Sequence, residues 1–578
     1  MVAPRRFAGV VSWDFGFMAV SGDVGKSAGD GFGNVSELLS AVASERGGSV
    51  AVAFRGESVT FGELNALCDF YARAFRDGMM GRGDLTLMAL RPGIELIAAV
   101  FAVFRVGAVP VLIDPGMGAK GFLSCVRSVA PNAMVGLPKA HWLSFAFSGA
   151  FRGLERRFAI GSGFFPGAAG LPTAGKFKRS GVDAAPAETA DTRLSDRAAV
   201  LFTSGATGPP KGVVYTHGIF IEQTRLIGEF YGAGPKHVDM PCFPLFGLFS
   251  AALGMPCVVP DFDPSFPAKA DPKLIVDTIR GHEVSFSFAS PTLWRNVASY
   301  CLENGIRLPS LKKALMAGAP VPPSLHADLR KIIAEDGDTY VPYGATESLP
   351  AANLRGSELT AELAERVESG EGYCVGKPLP GVGIRIIKPV DHPIREWGEA
   401  EELPVGEVGE IVVSGKIVTP EYLGMPDHTA LAKIAEPDGG TAHRIGDMGR
   451  VDGEGRIWFL GRKTHRIFTK SGVIYPVQVE ALFNRHSHVA RSALVGVGPK
   501  GEQIPALVVE PVPGVLPMLP RERRAFIADL EKIAAENPLA SEVGSILIID
   551  ALPVDIRHNA KIDRLALAKW AGKRVPPA

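Results

Sequence analysis

The chain has 578 residues, 46% of them apolar and 21% charged, a balance typical of globular proteins, and it is too long for one hydrophobic core. Lysine plus arginine and aspartate plus glutamate each number 61, so the total charge gives no indication of a nucleic-acid partner or of an anionic membrane surface. The six cysteines are scattered without metal-ligand or Cys-x-x-Cys spacing, which favours buried thiols of a cytoplasmic protein over disulfides or zinc.

The hydropathy of the chain predicts neither a transmembrane segment nor a signal peptide. The most apolar long stretch, Glu95–Ile113, is interrupted by Arg105 and Pro110, so we expect a buried helix and a strand and no transmembrane segment. Residues 1–33 form a Gly-rich tail in which Asp14 interrupts the apolar part, a poor match to a signal peptide. We expect this tail to be disordered and assign it no function.

The following residues alternate between helical and strand patterns. Thr60 and Glu63 have the spacing of a capping box at the start of a helix. The predicted order is helix around Leu38–Ala43, strand Ser49–Arg55, helix Thr60–Arg76, strand Leu85–Leu90, helix Ile94–Val106, strand Val109–Ile113 and helix Gly121–Val129. This alternation predicts a doubly wound α/β region. From Gly149 to about Thr192 the composition of Gly, Pro, Ala and Ser predicts a long connection without regular structure.

The segment Leu201–His217 has the features of a phosphate-binding loop. An apolar strand over Ala198–Phe202 leads into hydroxyl-bearing residues and glycines and then into Lys211, so backbone amides, hydroxyls and a cation can all meet an anion. It is not a Walker loop, because Gly212 follows the lysine where that motif needs Ser or Thr. A flexible surface turn is the alternative, but the order of hydroxyls and glycines after a buried strand favours phosphate binding.

This loop resembles that of the adenylate-forming superfamily of acyl-CoA synthetases, luciferases and peptide-synthetase adenylation domains. Four later motifs follow in the superfamily's order: AGAP at Ala317–Pro320, YGATE at Tyr343–Glu347, RIGDMGR at Arg444–Arg450 with Gly461–Arg462, and DIRHNAKIDR at Asp555–Arg564. The resemblance implies an α/β fold with a large AMP-binding domain over 34–462, which contains doubly wound sheets and a small barrel-like subdomain. It also implies a small mobile α+β domain over 463–578 that carries a catalytic lysine.

The resemblance implies ATP and Mg²⁺ as cofactors and gives roles to individual residues. Lys561 would bridge the carboxylate and the α-phosphate, Glu347 would hold the metal, and Asp447 with Arg462 would bind the ribose. The remaining implied nucleotide contacts are Thr203, Ser204, Gly205, Ala206, Thr207, Gly208, Lys211, Gly318, Ala319, Pro320, Tyr343, Gly344, Ala345 and Thr346. Ordinary alternatives exist, since Thr346–Glu347 could cap a helix, a Gly-Asp pair is a common turn, and a lysine in a charged loop is usually solvated.

Departures from the superfamily pattern bear on the second half-reaction. The aromatic segment that includes Phe243, Pro244 and Phe246 lacks the His that thioester-forming relatives usually carry, and we predict that these residues line the substrate pocket, although core packing is the plainer interpretation. The hinge has Thr464 and His465 where Asp or Lys is usual, and Asn559–Ala560 replaces Ser-Gly before the lysine. These changes put a reaction with CoA in doubt.

The strings GRKTH, PVDIRHNAKI and YGATES together resemble the β-lactone synthetases of bacterial long-chain olefin biosynthesis. That resemblance implies a 2-alkyl-3-hydroxy fatty acid as substrate, a cis or trans β-lactone and AMP as products, and a complex with a β-lactone decarboxylase and a β-keto acid reductase. His217, His465 and His558 are candidate bases, although His217 fits better as a packing residue. A long-chain acyl-CoA or acyl-carrier ligase and a non-catalytic nucleotide-binding regulator are the alternatives.

Overall fold

The computed structural model describes residues 31–181, 185–203, 210–512, 514–515, 520–554 and 562–575. Up to residue 231 the helices are α1 (Ser36–Arg46), α2 (Phe61–Asp77), α3 (Ile94–Arg105), α4 (Gly118–Val129), α5 (Pro138–Ala146), α6 (Ala174–Ser180) and α7 (His217–Tyr231). The strands of this part are β1 (Val50–Phe54), β2 (Glu57–Thr60), β3 (Leu85–Ala89), β4 (Val109–Leu112), β5 (Ala133–Gly136), β6 (Arg156–Ile160), β7 (Ala169–Leu171), β8 (Arg197–Thr203) and β9 (Lys211–Thr216).

The middle of the chain completes the larger sheets. Its helices are α8 (Gly247–Ala252), α9 (Pro272–Gly281), α10 (Pro291–Glu303), α11 (Pro323–Ile332), α12 (Ala361–Arg366) and α13 (Pro426–Ala432). Its strands are β10 (Asp239–Pro241), β11 (Cys257–Val258), β12 (Phe286–Ala289), β13 (Lys313–Met316), β14 (Asp338–Ala345), β15 (Ser348–Arg355), β16 (Tyr373–Cys374), β17 (Lys377–Pro378), β18 (Gly383–Ile387), β19 (Gly409–Ser414), β20 (Lys433–Ala435), β21 (Thr441–Val451) and β22 (Ile457–Arg462).

The last part of the chain forms a smaller α+β unit. Its strands are β23 (Ile467–Phe468), β24 (Val473–Ile474), β25 (Val489–Val497), β26 (Ile504–Pro511) and β27 (Ser545–Ile548), and its helices are α14 (Pro476–Asn484), α15 (Pro520–Glu536) and α16 (Arg564–Ala571). β25, β26 and β27 form one sheet, and its two faces carry separate apolar clusters. The boundary predicted at residue 462 coincides with the end of β22, but the division into a large and a mobile domain stays a prediction.

Two mainly parallel sheets organise the larger part of the molecule. One has the order β7-β6-β5-β3-β4-β8-β9 and the other the order β17-β15-β14-β13-β12-β10-β11-β1-β2. Strands β16, β18, β19, β20, β21 and β22 form a third, antiparallel sheet. Because parallel strands need crossover connections, helices follow most strands of the two large sheets. The predicted α/β class with doubly wound sheets is confirmed.

The prediction of a structureless connection over 149–192 is wrong. β6, β7 and α6 all lie in this segment, β6 pairs with β5 in the first sheet, and Phe158 and Ile160 of β6 are buried. The apolar runs of these strands are only three residues long and lie among glycines, so composition concealed them. Among the described residues, no helix is both long enough and apolar enough to cross a bilayer.

The capping box predicted at the start of α2 is present. Thr60 Oγ1 accepts a hydrogen bond from the Glu63 amide at 3.2 Å, and the Glu63 carboxylate accepts one from the Thr60 amide at 2.9 Å. Because both bonds satisfy amides that a helix start leaves unpaired, we expect Thr60→Ala to weaken the first turn by about 1 kcal/mol.

Hydrogen exchange of a peptide covering residues 61–66 measures this effect. Exchange should be roughly fivefold faster in Thr60→Ala, if it proceeds through local opening of the first turn. The matched variant Thr60→Ser keeps the hydroxyl and should exchange like the parent protein. Equal exchange rates in Thr60→Ala and Thr60→Ser would contradict a role for the cap.

Candidate active site

One cavity of about 1850 Å³ lies where the strands of the two parallel sheets end. It is lined by residues that are far apart in the sequence, from the end of β1 to the start of α16. The predicted site residues that line it are Lys211, Phe243, Pro244, Phe246, Gly318, Ala319, Pro320, Tyr343, Gly344, Ala345, Thr346, Glu347, Asp447, Arg462 and Thr464. Ser204, Gly205, Ala206, Thr207, Gly208, His558 and Lys561 lie outside the described residues, and Thr203 is described only by its backbone.

The β8–β9 hairpin brings both ends of the predicted phosphate loop together. Thr203 pairs with Lys211 at the end of the antiparallel ladder. The Lys211 ammonium lies 4.8 Å from the centre of the Tyr422 ring. Burial lowers the pKa of Lys211, and the nearby Glu347 carboxylate opposes that shift. The Lys211 ammonium is therefore held near the Glu347 carboxylate, and we call this part of the cavity the polar end.

The YGATE segment forms the tight connection between β14 and β15. Ala345 pairs with Ser348, so Thr346 and Glu347 occupy the turn. Gly344 has a φ of +157°, and a Cβ there would lie 2.5 Å from the Ser348 carbonyl oxygen, so only glycine fits. The alternative in which Thr346 and Glu347 begin a helix is wrong, because a strand follows them.

Glu347 is held through both its backbone and its side chain. Its carbonyl oxygen accepts hydrogen bonds from the Thr419 amide at 2.9 Å and the Thr419 hydroxyl at 3.1 Å. Its Oε1 accepts one from the Tyr422 hydroxyl at 2.6 Å, while burial raises the pKa of Tyr422. The sequence analysis missed Thr419 and Tyr422. The string Thr419–Gly424, a turn-like segment with an aromatic residue, was the only signal for them.

Asp447 and Arg462 face each other across neighbouring strands. They are register partners in β21 and β22, and Arg462 Nη1 donates to Asp447 Oδ1 at 2.9 Å and to the Ile445 carbonyl at 2.9 Å. The Tyr343 hydroxyl donates to Asp447 Oδ2 at 2.8 Å. Asp447 is therefore oriented by two groups from different elements, and its carboxylate faces the cavity beside the Tyr343 ring.

Thr464 lies in the turn that joins the two parts of the chain. The turn Lys463–His465 follows β22 directly, and Lys463 Nζ donates to the buried carboxylate of Glu410 at 3.1 Å. Farther along the chain, two further lining residues are paired, and Arg564 donates to Glu480 at 2.8 Å. Charged contacts therefore hold the chain on both sides of the turn.

The two described candidate bases differ in position. His217 begins α7, is fully buried, accepts a hydrogen bond from the Val35 amide at 3.1 Å and does not line the cavity, which agrees with a packing role. His465 lines the cavity, but burial together with Arg564 and Arg462 lowers its pKa to about 3. A histidine with so low a pKa is a weak base, so the surroundings of His465 do not favour it for removing the hydroxyl proton.

A buried lysine behind Glu347 was also missed by the sequence analysis. Lys433 is 8% exposed and its Nζ donates to Thr419 Oγ1 at 3.1 Å, so the hydroxyl that holds the Glu347 backbone is itself held. Burial lowers the pKa of Lys433 to about 7, with the Glu347 carboxylate acting in the opposite direction. A lone lysine in an apolar segment gives no sequence signal of this kind.

This lowered pKa gives a pH-dependent contribution to stability. The folded protein releases the Lys433 proton near pH 7 and the unfolded chain releases it near 10.5. Between these values the unfolded state binds more protons, so stability rises with pH by at most about 1.4 kcal/mol per pH unit. Below pH 7 the unfavourable burial of the charge is fully present.

We therefore expect the parent protein to gain stability relative to Lys433→Met as the pH rises from about 7 towards 10.5. Urea unfolding measures the gain. The midpoint of the first unfolding transition is determined for both proteins at several pH values in this range. Two curves that stay parallel over the whole range would show that Lys433 titrates normally.

The opposite wall of the cavity is apolar and aromatic. Phe246 lies at its centre, with ring centroids 5.2 Å from Phe243, 4.6 Å from Phe288 and 5.9 Å from Phe249. Further apolar lining residues, most of them absent from the sequence predictions, are Phe220, Ile227, Leu248, Met255, Phe286 and Leu315. They come from α7, α8, β12, β13 and a neighbouring loop, where the sequence shows only ordinary core patterns. The cavity thus has a polar end for an anion and an apolar wall for a hydrocarbon.

The chain is similar to AMP-binding enzymes and, over nearly its whole length, to two olefin beta-lactone synthetases. The family model for AMP-binding enzymes matches residues 39–423. An olefin beta-lactone synthetase of Stenotrophomonas maltophilia (strain K279a) is 40% identical over 571 residues, with 94% of this chain and 98% of that protein covered. An olefin beta-lactone synthetase of Xanthomonas campestris pv. campestris is 39% identical with the same coverage.

Solved structures share this fold. The anthranilate CoA ligase AuaEII in complex with anthranoyl-AMP aligns with a TM-score of 0.77 at 19% identity, covering 94% of this chain and 97% of that chain. At this identity the similarity shows the adenylate-forming fold alone. The two synthetases, by contrast, are 40% and 39% identical to this chain over nearly its whole length. The resemblance inferred from the motifs is confirmed: the chain belongs to the AMP-binding enzymes and, within them, to the olefin beta-lactone synthetases.

Proposed function

We propose that the protein uses ATP to convert a 2-alkyl-3-hydroxy fatty acid into a β-lactone through an acyl-adenylate. The observation that carries this proposal is the 40% identity with an olefin beta-lactone synthetase over 94% of the chain. The cavity supports it, because its polar end suits a nucleotide and its apolar wall suits long alkyl chains.

The first step joins two anions and needs positive charge at the point of reaction. A carboxylate oxygen attacks the α-phosphorus, a new O–P bond forms and the bond to pyrophosphate breaks. In our proposal Lys211 and the loop Thr203–Gly208 hold the departing phosphates, and Lys561 bridges the carboxylate and the α-phosphate. Asp447 and Arg462 fix the ribose, so the nucleotide reacts in one orientation.

The residues around Glu347 fit a magnesium ion held mainly by substrate. No cluster of three or more metal-ligating side chains occurs in the part of the chain that the structure describes. Mg²⁺ commonly binds through one carboxylate together with phosphate oxygens and water, and Glu347 offers such a carboxylate at the polar end of the cavity. Bound there, the ion would neutralise phosphate charge, while Tyr422 and Thr419 orient the carboxylate.

Ring closure needs no second substrate. The β-hydroxyl oxygen forms a bond to the acyl carbon, the bond from that carbon to AMP breaks and the hydroxyl proton is released. Because nucleophile and electrophile belong to one bound molecule, the cavity has only to hold them close together. The aromatic wall around Phe246, which includes Pro244, would hold the two alkyl chains so that the hydroxyl faces the adenylate.

Product analysis with ATP, Mg²⁺ and a racemic 2-alkyl-3-hydroxy acid, with and without CoA, tests the proposal. We expect lactone and AMP in equal amounts, with no requirement for CoA. A thioester that depends on CoA, in the absence of lactone, would instead identify an acyl-CoA ligase. ATP binding without pyrophosphate release would identify the non-catalytic alternative.

The resemblance also supports a cytoplasmic location and a complex with a β-lactone decarboxylase and a β-keto acid reductase. Both stay proposals. Co-purification of the three proteins from cells that express them together, with a tag on this chain only, tests the complex. Elution of this chain alone at physiological salt would contradict it.

A further inference from the structure

An aromatic surface stands out on the side of the molecule formed by α5. Phe145 and Phe164 are 69% and 76% exposed, and Trp142, Leu143 and Phe147 are between 45% and 51% exposed. We call these five residues the aromatic face. Among the described residues, every Trp and Phe side chain that is largely exposed belongs to it. A monomeric protein rarely leaves so many large apolar groups in water without a binding function.

Contacts of Trp142 join the two segments that carry the aromatic face. Trp142 Nε1 donates to the Phe164 carbonyl at 3.2 Å, and its ring packs edge-on against Phe165 with centroids 5.0 Å apart. These contacts fasten the loop after β6 to α5. Phe151, just after the turn that ends α5, packs in one cluster with Val126 of α4, so both helices cover the same face of the sheet.

This side of the molecule is also strongly basic. Between residues 118 and 168 the chain has six basic residues and one acidic residue, a net charge of +5, whereas the rest has 55 basic and 60 acidic residues, a net charge of −5. We call the exposed cations of this stretch without an ion pair in the described structure the basic rim, and they are Lys120, Arg127, Lys139 and Arg152. The zero net charge of the whole chain conceals this separation.

Exposed aromatic rings beside unpaired cations match the chemistry of an anionic bilayer surface. Trp and Phe side chains enter the interfacial region of a bilayer, and each nearby Lys or Arg gains from the negative surface potential of acidic phospholipids. A protein partner would need a surface that is acidic, apolar and of matching shape. A lipid surface has to be only negatively charged and apolar beneath its headgroups. The charge complementarity therefore favours lipid.

We propose that the aromatic face and the basic rim dock the enzyme peripherally on a bilayer that contains anionic phospholipid. None of the five residues of the aromatic face lines the cavity, so docking is independent of the reaction catalysed there.

Sedimentation of the full chain with vesicles tests the proposal. We expect binding to vesicles with 30% phosphatidylglycerol in phosphatidylcholine, little binding to pure phosphatidylcholine, and weaker binding in high salt. Phe145→Ser with Phe164→Ser should weaken binding about tenfold or more, because two exposed rings no longer insert. Lys139→Glu with Arg152→Glu should do the same through charge. Neither pair touches the cavity, so lactone formation in solution should be unchanged.

Matched variants elsewhere on the surface separate docking from general effects. Val405→Ser with Leu565→Ser removes two exposed apolar side chains, and Lys236→Glu with Lys416→Glu reverses two exposed cations, all outside residues 118–168. Both controls should bind vesicles like the parent protein. Equal binding to neutral and anionic vesicles would overturn the proposal, as would unchanged binding of Phe145→Ser/Phe164→Ser. Absence of vesicle binding, with a dimer that this pair dissociates, would assign the face to a second copy of the chain.

Discussion

Glu347→Gln is expected to lower the rate of pyrophosphate release by a factor of about 10² to 10³, while the protein stays folded. The amide keeps the size of the side chain and can still accept the Tyr422 hydrogen bond, but it lacks the charge that suits a magnesium ion. The rate should also recover in part at high Mg²⁺ concentration. Pyrophosphate release at increasing Mg²⁺ concentrations measures both effects.

Tyr422→Phe is the matched control for this experiment. It removes the 2.6 Å hydrogen bond to Glu347 Oε1 and keeps the carboxylate charge. We expect a loss of about tenfold or less, because the Thr419 contacts still hold the backbone of the turn. If Glu347→Gln lost no more activity than Tyr422→Phe, at any Mg²⁺ concentration, the carboxylate would not be the metal ligand.

Lys561→Ala is expected to reduce adenylate formation by a factor of about 10² to 10³, with ATP binding nearly unchanged. In our proposal this lysine offsets the repulsion between the carboxylate and the α-phosphate, an interaction that matters most at the transition state. In the same proposal other residues hold the phosphates and the ribose, so the ground-state complex should form. Pyrophosphate exchange and equilibrium ATP binding, measured on the same preparation, separate the two effects.

Lys569→Ala provides the comparison, because Lys569 is an exposed lysine of α16, eight positions further along the chain. Its removal should leave both measurements unchanged. Equal pyrophosphate exchange in Lys561→Ala and the parent protein would assign the catalytic cation to another residue. A large loss of ATP binding in Lys561→Ala would mean that the lysine serves the ground state instead.

Short sequence motifs indicated Glu347, Asp447 and Arg462, which the structure places at one cavity, while their binding roles stay predictions. Glu347 follows a glycine whose backbone geometry no other residue tolerates, and Asp447 and Arg462 lie at facing positions of one hairpin. Such residues are set by local geometry, so their spacing along the chain is informative. The α/β class followed similarly from alternating helix and strand patterns.

The groups behind these residues could not be predicted in the same way. Thr419 contacts Glu347 across 72 residues of sequence, and Lys433 acts on Glu347 through Thr419. Each alone is an ordinary residue in an ordinary strand or loop. The strand β6 was missed because its partner β5, not its own composition, determines that it forms. Long-range packing is therefore what the sequence patterns left out.

The separation of the polar end from the aromatic wall has a consequence for how such enzymes diversify. Asp447 and Arg462 belong to the antiparallel sheet, whereas Phe220 and Phe249 belong to helices packed in a different core cluster. Substitutions in α7 or α8 can therefore reshape the apolar part of the cavity without changing the residues proposed to bind the nucleotide. Evolution can therefore change which carboxylic acid is bound while the chemistry of adenylate formation stays the same.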